Sequence, residues 1–215
     1  VNLLPLNNGA TIAINAAAGT FSLSAADLAN IDSAGVVTVG NVNSGAIAIG
    51  SSGAIDLSAE TYSLSLRGGS VSFSNGITLG NDTTLDIRSS GSITGSGTGN
   101  DVTIGGSDGS LVTVADGNID LETSVARFAA EAGGTLTIDE ASNLIVDSLN
   151  GITGASSVGN LAITTQGQLS VGNAIATTGA GTISLNAEDG DNGNLVVNDT
   201  ITSQGGNITL NAEND

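Results

Sequence analysis

The octapeptide Gly181-Thr-Ile-Ser-Leu-Asn-Ala-Glu188 returns further along the chain as Gly206-Asn-Ile-Thr-Leu-Asn-Ala-Glu213. A third copy, Gly53-Ala-Ile-Asp-Leu-Ser-Ala-Glu60, lies earlier in the chain. In each copy, aliphatic residues alternate with small or polar residues behind a leading glycine. An alternation with period two is typical of a short β-strand with one buried face, and the glycine indicates a turn before it.

Looser copies of the pattern Gly-x-apolar-x-apolar extend this signal over most of the chain. The steps from Gly134 to Gly159, from Gly159 to Gly181 and from Gly181 to Gly206 are nearly equal. This spacing predicts one coil of roughly two dozen residues with two or three strands in it. The looser copies are Gly19–Leu23, Gly45–Ile49, Gly69–Phe73, Gly117–Leu121, Gly134–Ile138, Gly159–Ile163, Gly167–Val171 and Gly193–Val197.

Strands this short cannot bury an apolar face alone, so they must stack coil upon coil. The sequence therefore predicts an all-β fold, a parallel β-helix (β-solenoid) of roughly nine coils. At about 4.8 Å between stacked strands, nine coils make a rod about 40 Å long. Residues 1–215 are predicted to form a single continuous solenoid. The chain opens on Val1 rather than Met, so we expect it to be part of a longer chain.

Some segments depart from the repeat. Ser24–Ile31 begins with a residue that suits a helix N-cap and predicts a short helix. Thr123–Ala132 is rich in alanine and is either a short helix or an irregular coil, of which the coil is favoured. Ser89–Ser110 predicts turns around a strand at Val102–Ile104. No capping element is evident at either end of the predicted stack.

Asn186 and Asn211 hold the same place in their octapeptides, and Ser58 holds it in the third copy. We expect these residues at a corner of the coil, where stacked amides form a ladder.

Composition excludes several classes of function. The chain has 21 acidic residues against three arginines and no lysine, for a net charge of −18. A nucleic-acid partner needs basic groups that this surface lacks, and anionic membrane surfaces are disfavoured for the same reason. No apolar run approaches the length of about 20 residues that spans a bilayer. Without His, Cys or Lys, Ser–His or Cys–His catalysis, zinc sites and Walker-type phosphate loops are excluded.

Calcium is the one inorganic ligand that the sequence favours. Glu188-Asp-Gly-Asp-Asn-Gly-Asn194 gathers oxygen donors on a short loop, with Asp189, Asp191 and Asn194 as the candidate ligands. The spacing is not that of an EF-hand, and an acidic solvated turn is favoured over a calcium site. No cofactor is therefore predicted, with calcium at this loop as the alternative.

A polysaccharide hydrolase with paired carboxylates is a minor alternative, with Asp189/Asp191 or Asp139/Glu140 as the pair. Neither pair has an aromatic platform nearby, because the chain has only three Phe and one Tyr. Ice binding would need regular Thr-x-Thr rows, and Thr135 and Thr137 form a single such pair. We therefore predict that the protein is not an enzyme.

The repeats resemble those of the filamentous-haemagglutinin-like exoproteins, large bacterial β-strand-repeat adhesins. The resemblance is carried by Gly181–Glu188, Gly206–Glu213, Ala54–Ala59, Ser63–Ser70 and Thr123–Ala126 followed by Gly134–Ile138. It implies a right-handed β-helix exported to the cell surface, with roles in adhesion, biofilm or matrix and with no catalytic residues. The predicted partners are flanking repeats of the same chain and a host or surface glycan or protein. The alternative function is a subunit of an extracellular filament or sheath that assembles by end-to-end coil stacking.

Overall fold

The computed structural model describes residues 1–188 and 193–213 and is built almost entirely from short β-strands. The N-terminal half contains β1 (Asn2–Leu3), β2 (Ile12–Ile14), β3 (Phe21–Leu23), α1 (Ala25–Ala29), β4 (Val36–Gly40), β5 (Ile47–Ile49), β6 (Ile55–Leu57), β7 (Ser63–Gly68), β8 (Val71–Phe73), β9 (Ile77–Leu79), β10 (Thr84–Ser89), β11 (Ile93–Thr94), β12 (Val102–Ile104) and β13 (Ser110–Ala115). The C-terminal half contains β14 (Ile119–Ser124), β15 (Arg127–Ala132), β16 (Leu136–Glu140), β17 (Leu144–Val146), β18 (Ser148–Leu149), β19 (Ile152–Thr153), β20 (Ala155–Ser157), β21 (Leu161–Thr165), β22 (Leu169–Val171), β23 (Ile175–Thr177), β24 (Ile183–Ala187), β25 (Leu195–Val197), β26 (Ile201–Ser203) and β27 (Ile208–Ala212).

The strands form two large parallel sheets that face each other across the core. Sheet 1 follows the order β1-β4-β7-β10-β13-β15-β17-β22-β25, and β20, β23 and β26 branch from β15. Sheet 2 follows the order β3-β2-β5-β8-β11-β14-β16-β21-β24-β27, and β12, β9 and β6 branch from β14. Because strands adjacent in a sheet are separated by a full winding of the chain, the fold is a β-solenoid, as the repeats predict.

The solenoid has about seven turns, not the nine that the repeat spacing predicted. Eight strands of sheet 2, from β5 to β27, carry one in-register column, and most neighbours in it are separated by a turn of the predicted length. The count is lower because the residues before β5 form an irregular end layer. The predicted right-handed winding stays a prediction.

The corner of the coil moves along the stack. An early turn has one long strand in sheet 1 and two short strands in sheet 2, as in β7, β8 and β9. A late turn has two short strands in sheet 1 and one long strand in sheet 2, as in β22, β23 and β24. The turn through β14 and β15 has long strands in both sheets, which is why its step, from Ile119 to Leu136, is the shortest in the column. Such corners need glycine: at Gly154 (φ 72°), a Cβ atom would lie 1.9 Å from the Ala174 carbonyl oxygen.

Columns of aliphatic side chains fill the space between the sheets. One column in sheet 2 is buried from the second strand to the penultimate one, and its members are Ile12, Ile47, Val71, Ile93, Ile119, Leu136, Leu161 and Ile183. Full burial of such a side chain contributes about 1.5–3 kcal/mol. The alternation seen in the sequence therefore gives this column one apolar residue from each turn, without a gap.

Two expectations about irregular segments have different outcomes. Ser24 is the N-cap of α1, as predicted, and forms a capping box with Asp27. The interpretation of Thr123–Ala132 as helix or irregular coil was wrong. It comprises the end of β14, a two-residue link and all of β15, in which Phe128, Ala130 and Ala132 point into the core with period two. Pairing with β13 on one side and with β17 and β20 on the other overrides the helix propensity of alanine.

An N-terminal layer closes the first end of the stack, contrary to the expectation that neither end has a cap. β1 is the end strand of sheet 1 and β3 that of sheet 2, while α1 packs against β6. Leu28 of α1 is fully buried in the core, and Tyr62 donates a hydrogen bond to its carbonyl oxygen over 3.1 Å. Five partly buried residues of this layer pack against the core: Leu3, Phe21, Leu23, Ala25 and Ile31.

The last described coil is open. All five residues of β27 are exposed, including Ile208 at 43% and Leu210 at 49%. Asn211 donates a 2.7 Å hydrogen bond to the Oδ1 of Asn186, so the predicted amide ladder is present. The ladder lies within paired strands rather than at a corner. Ser58 is not part of it, because β6 of the third octapeptide copy stacks on β9, in the column branching from β14.

Candidate functional site

The structure describes one of the three predicted calcium ligands. Asp189 and Asp191 lie outside the described residues. Asn194 is exposed just before β25, and its backbone carbonyl accepts a 2.9 Å hydrogen bond from the Leu169 N–H. In residues 1–188 and 193–213, no three acidic, His or Cys side chains are arranged to hold a metal ion. Calcium at 189–194 stays a prediction.

An acidic depression lies on the outer face of sheet 2, and we call it the acidic cleft. It consists of two adjoining depressions of about 440 and 250 Å³, which share Glu122 and Asp139. Glu122 of β14 and Asp139 of β16 are direct neighbours in register. The other carboxylates that line it are Asp101, Asp120, Glu140 and Glu188.

The loop 95–101 forms one wall of this cleft, and Asp101 holds the loop in place. Asp101 is fully buried, and its two carboxylate oxygens accept hydrogen bonds from the Ser96 N–H (2.7 Å) and the Glu122 N–H (3.0 Å). Gly95 passes so close that a Cβ atom there would lie 2.0 Å from the Asp101 Oδ2. The charge of Asp101 thus anchors the loop beside Glu122.

Asp139 and Glu140, a candidate catalytic pair, both border the acidic cleft, but only Asp139 projects from its surface. They are consecutive in β16, so their side chains point to opposite sides of the sheet. Asp139 is exposed, whereas Glu140 is buried and accepts hydrogen bonds from the Thr123 hydroxyl (2.8 Å) and the Val125 N–H (3.0 Å). Ser142 donates two more, at 3.0 and 2.7 Å. Glu140 therefore joins β14, β16 and the turn after β16.

The pKa values of three carboxyl groups in the acidic cleft are raised. Partial burial raises the pKa of Glu122, and the negative charges of Asp101, Asp139 and Asp120 raise it further. Burial, with the charges of Asp120 and Glu188, raises the pKa of Asp139. Burial also raises the pKa of Glu140, and its four hydrogen bonds oppose that shift. Stacked like charges are therefore a local cost of this surface at neutral pH.

Sequence reasoning missed the pairing of Glu122 with Asp139. The step between them is shorter than the spacing of the octapeptide repeats, which would place neither beside the other. One signal was available: Ile119-Asp-Leu-Glu and Leu136-Thr-Ile-Asp share the same alternation, with acids at the same outward position. The cleft can concentrate cations weakly through its charge, but the described residues that line it include neither an aromatic platform nor a basic group to orient a substrate.

No protein-family model, curated protein or solved structure matches this chain. The resemblance to filamentous-haemagglutinin-like exoproteins therefore stays a prediction from the repeats. The five-residue α1 is far too short to cross a bilayer, and the described residues contain no helix that could do so.

Proposed function

We propose that this chain is a rigid β-solenoid segment of an extracellular scaffold on a bacterial cell surface. Its role is mechanical, in adhesion, biofilm or matrix, and it has no catalytic role. The observation that carries the proposal is the uninterrupted core column from Ile12 to Ile183, which makes the stack a stiff spacer. Its acidic, lysine-free surface suits a soluble exterior without nucleic-acid or membrane partners.

The open coil supports flanking repeats of the same kind as the partner. Ile183 and Leu185 of β24 are buried because β27 lies over them, and Ile208 and Leu210 repeat their positions one turn later. A further coil in the same register would bury Ile208 and Leu210 and pair the free edge of β27. Flanking repeats would then lengthen the scaffold through the same parallel in-register pairing that joins β24 to β27.

Surface display is tested with antibodies raised against the purified chain. Intact, unpermeabilised cells of the source bacterium are expected to be labelled, and labelling is expected to disappear when the gene is deleted. An antibody to a cytoplasmic protein serves as the control for cell integrity. Labelling that requires permeabilisation would overturn the proposal.

A filament subunit is the second candidate, because the same open edge could bind another copy. The N-terminal layer argues against unlimited head-to-tail growth, since α1 and two short strands occupy the other end. We therefore expect self-association to stop at a dimer joined through β27. Fibres seen by negative-stain microscopy would favour the filament instead.

A matched pair of variants tests this contact by light scattering. Leu210 and Leu4 are equally exposed, at 49%, on the C-terminal and N-terminal coils. Leu210→Lys is expected to weaken the dimer at least tenfold, because it places a charge against the partner strand. Leu4→Lys is expected to leave dimerisation unchanged. Equal effects of the two substitutions would contradict assembly through β27.

The absence of catalysis is tested directly. The chain is expected to release no reducing sugar from a panel of polysaccharides. Release that Asp139→Asn abolishes would make the acidic cleft an active site and would overturn the scaffold proposal.

A further inference from the structure

Two of the three arginines of this acidic protein lie side by side on the outer face of sheet 1. Arg67 of β7 and Arg88 of β10 are direct neighbours in register. Like charges opposite each other on adjacent strands destabilise a sheet, so a bound anion at this point would remove a local cost.

The two arginines differ in their partners. Arg88 forms an ion pair with Asp86, with its Nε 3.0 Å from the Asp86 Oδ1, and also donates to the Asn150 carbonyl over 3.3 Å. Arg67 donates from its Nε to the Ser65 hydroxyl over 3.3 Å. Across the described part of the chain Arg67 makes no ion pair, so its two terminal nitrogens remain available to an anion.

Arg67 and Arg88 both line a cleft of about 190 Å³ whose exposed surface is largely apolar. Val42 and Val114 stand on these walls, and Val42 is 77% exposed. Asp116 is the carboxylate on the lining. The cleft is smaller than the roughly 300–1,000 Å³ of sites for drug-sized ligands, so it suits one small group.

We propose that this cleft binds a small carboxylate with an aliphatic body. The carboxylate accepts hydrogen bonds from the free terminal nitrogens of Arg67, whose planar fork matches two oxygens at once. The aliphatic body lies against Val42 and Val114. This site is independent of the scaffold role, and its failure would leave that role untouched.

The test is an NMR titration of the ¹⁵N-labelled chain with hexanoate and, separately, with N-acetyl-leucine. The first represents a free aliphatic acid and the second a peptide C-terminus, so the tighter of the two identifies the source. Both are expected to saturate and to shift the signals of Arg67, Val42 and Val114. Hexan-1-ol, which lacks the charge, is expected to bind at least tenfold more weakly.

Variants separate this site from a general charge effect. Arg67→Gln is expected to weaken hexanoate binding at least tenfold, and Asp116→Asn to tighten it by removing a competing charge. Ser184→Asp, on the exposed outer face of β24, changes the net charge by the same amount as Arg67→Gln and is expected to alter binding less than twofold. Shifts that do not saturate, or equal weakening by Arg67→Gln and Ser184→Asp, would overturn the proposal.

Discussion

The two ends of the described stack differ in whether the core is covered or exposed to solvent. At the N-terminal layer, the core is covered by the helix α1 and by the edge strands β1 and β3, of two and three residues. At the other end, the five-residue strand β27 presents Ile208 and Leu210 to solvent. Short edge strands and a helix blunt an edge, whereas a longer strand with apolar side chains invites pairing.

The difference teaches where specificity resides in a repetitive chain. The octapeptide copies build interchangeable turns, each ready to accept another. The segment that departs from the repeat, Ser24–Ile31, contains the helix α1 that covers the first end of the stack. Irregular sequence in a solenoid is therefore informative about termination rather than about loss of structure.

Removing one leucine from each end gives the largest expected contrast. Leu28→Ala is expected to lower the free energy of unfolding by about 2–5 kcal/mol, because the Leu28 side chain is fully buried in the core. Leu210→Ala removes the same atoms from an exposed strand and is expected to cost less than about 1 kcal/mol. Urea unfolding followed by circular dichroism measures both. Equal losses would mean that α1 does not close the stack.

Disrupting the capping box tests α1 more finely. The Ser24 hydroxyl accepts a 3.0 Å hydrogen bond from the Asp27 N–H, and Asp27 Oδ2 accepts a 2.8 Å bond from the Ser24 N–H. Ser24→Ala is expected to cost about 1 kcal/mol, with the exposed Ser52→Ala as a neutral control.

The hydrogen bonds of Ser24 lower the pKa of Asp27, so the carboxylate contribution is present at neutral pH and is lost on acidification. The cost should therefore shrink as the pH falls below about 4; a cost that stays constant in strong acid would contradict the box.

A change of pH separates the middle turns from both ends. Glu122, Asp139 and Glu140 have raised pKa values in the folded chain, so the folded state binds their protons more tightly than the unfolded state. Their protonated forms favour folding, and stability should rise as the pH falls from 7 to 5. For a chain of this size, about 1 kcal/mol corresponds to a Tm increase of about 2–4 °C.

Calorimetry at the two pH values measures this increase. The double variant Glu122→Gln and Asp139→Asn should reduce the increase, because it removes two of the three groups. A Tm that falls between pH 7 and pH 5 would contradict the upward pKa shifts.

The asparagine ladder gives the smallest contrast. Asn186 lies between Asn211 and the rest of the stack, and Asn211 lies at the open coil. Asn186→Ala is expected to cost about 0.5–1.5 kcal/mol, the usual net contribution of a hydrogen bond, and Asn211→Ala less because water replaces its partner. A larger cost at Asn211 in urea unfolding would contradict an open end.

The repeated octapeptide was sufficient to predict the parallel stacking and the length of a turn. Ile183 and Ile208 occupy equivalent places in their copies and pair in register. The number of turns was not predictable from the spacing, because the shortest turn joins Ile119 to Leu136 and the N-terminal layer replaces regular coils. Strand β15 was missed because alanine favours helices in isolation, while register with its neighbours decides its structure here.

The candidate sites were less predictable than the fold. Glu122 is the register partner of Asp139, and Arg67 that of Arg88. Each pairing depends on the length of the one turn that separates the two strands. A one-residue change in either turn would place these side chains on opposite faces. Asp101 enters the acidic cleft from a loop, where no period relates it to the strands.

The central claim is that successive windings lie on one another in register, and interstrand nuclear Overhauser effects test it most directly. The backbone of Val71 is expected to show strong effects to both Ile47 and Ile93, which lie one turn before it and one turn after it. Ile183 is expected to show them to Leu161 and Ile208. Effects confined to residues three and four apart, or antiparallel pairing of these strands, would contradict the stacked solenoid.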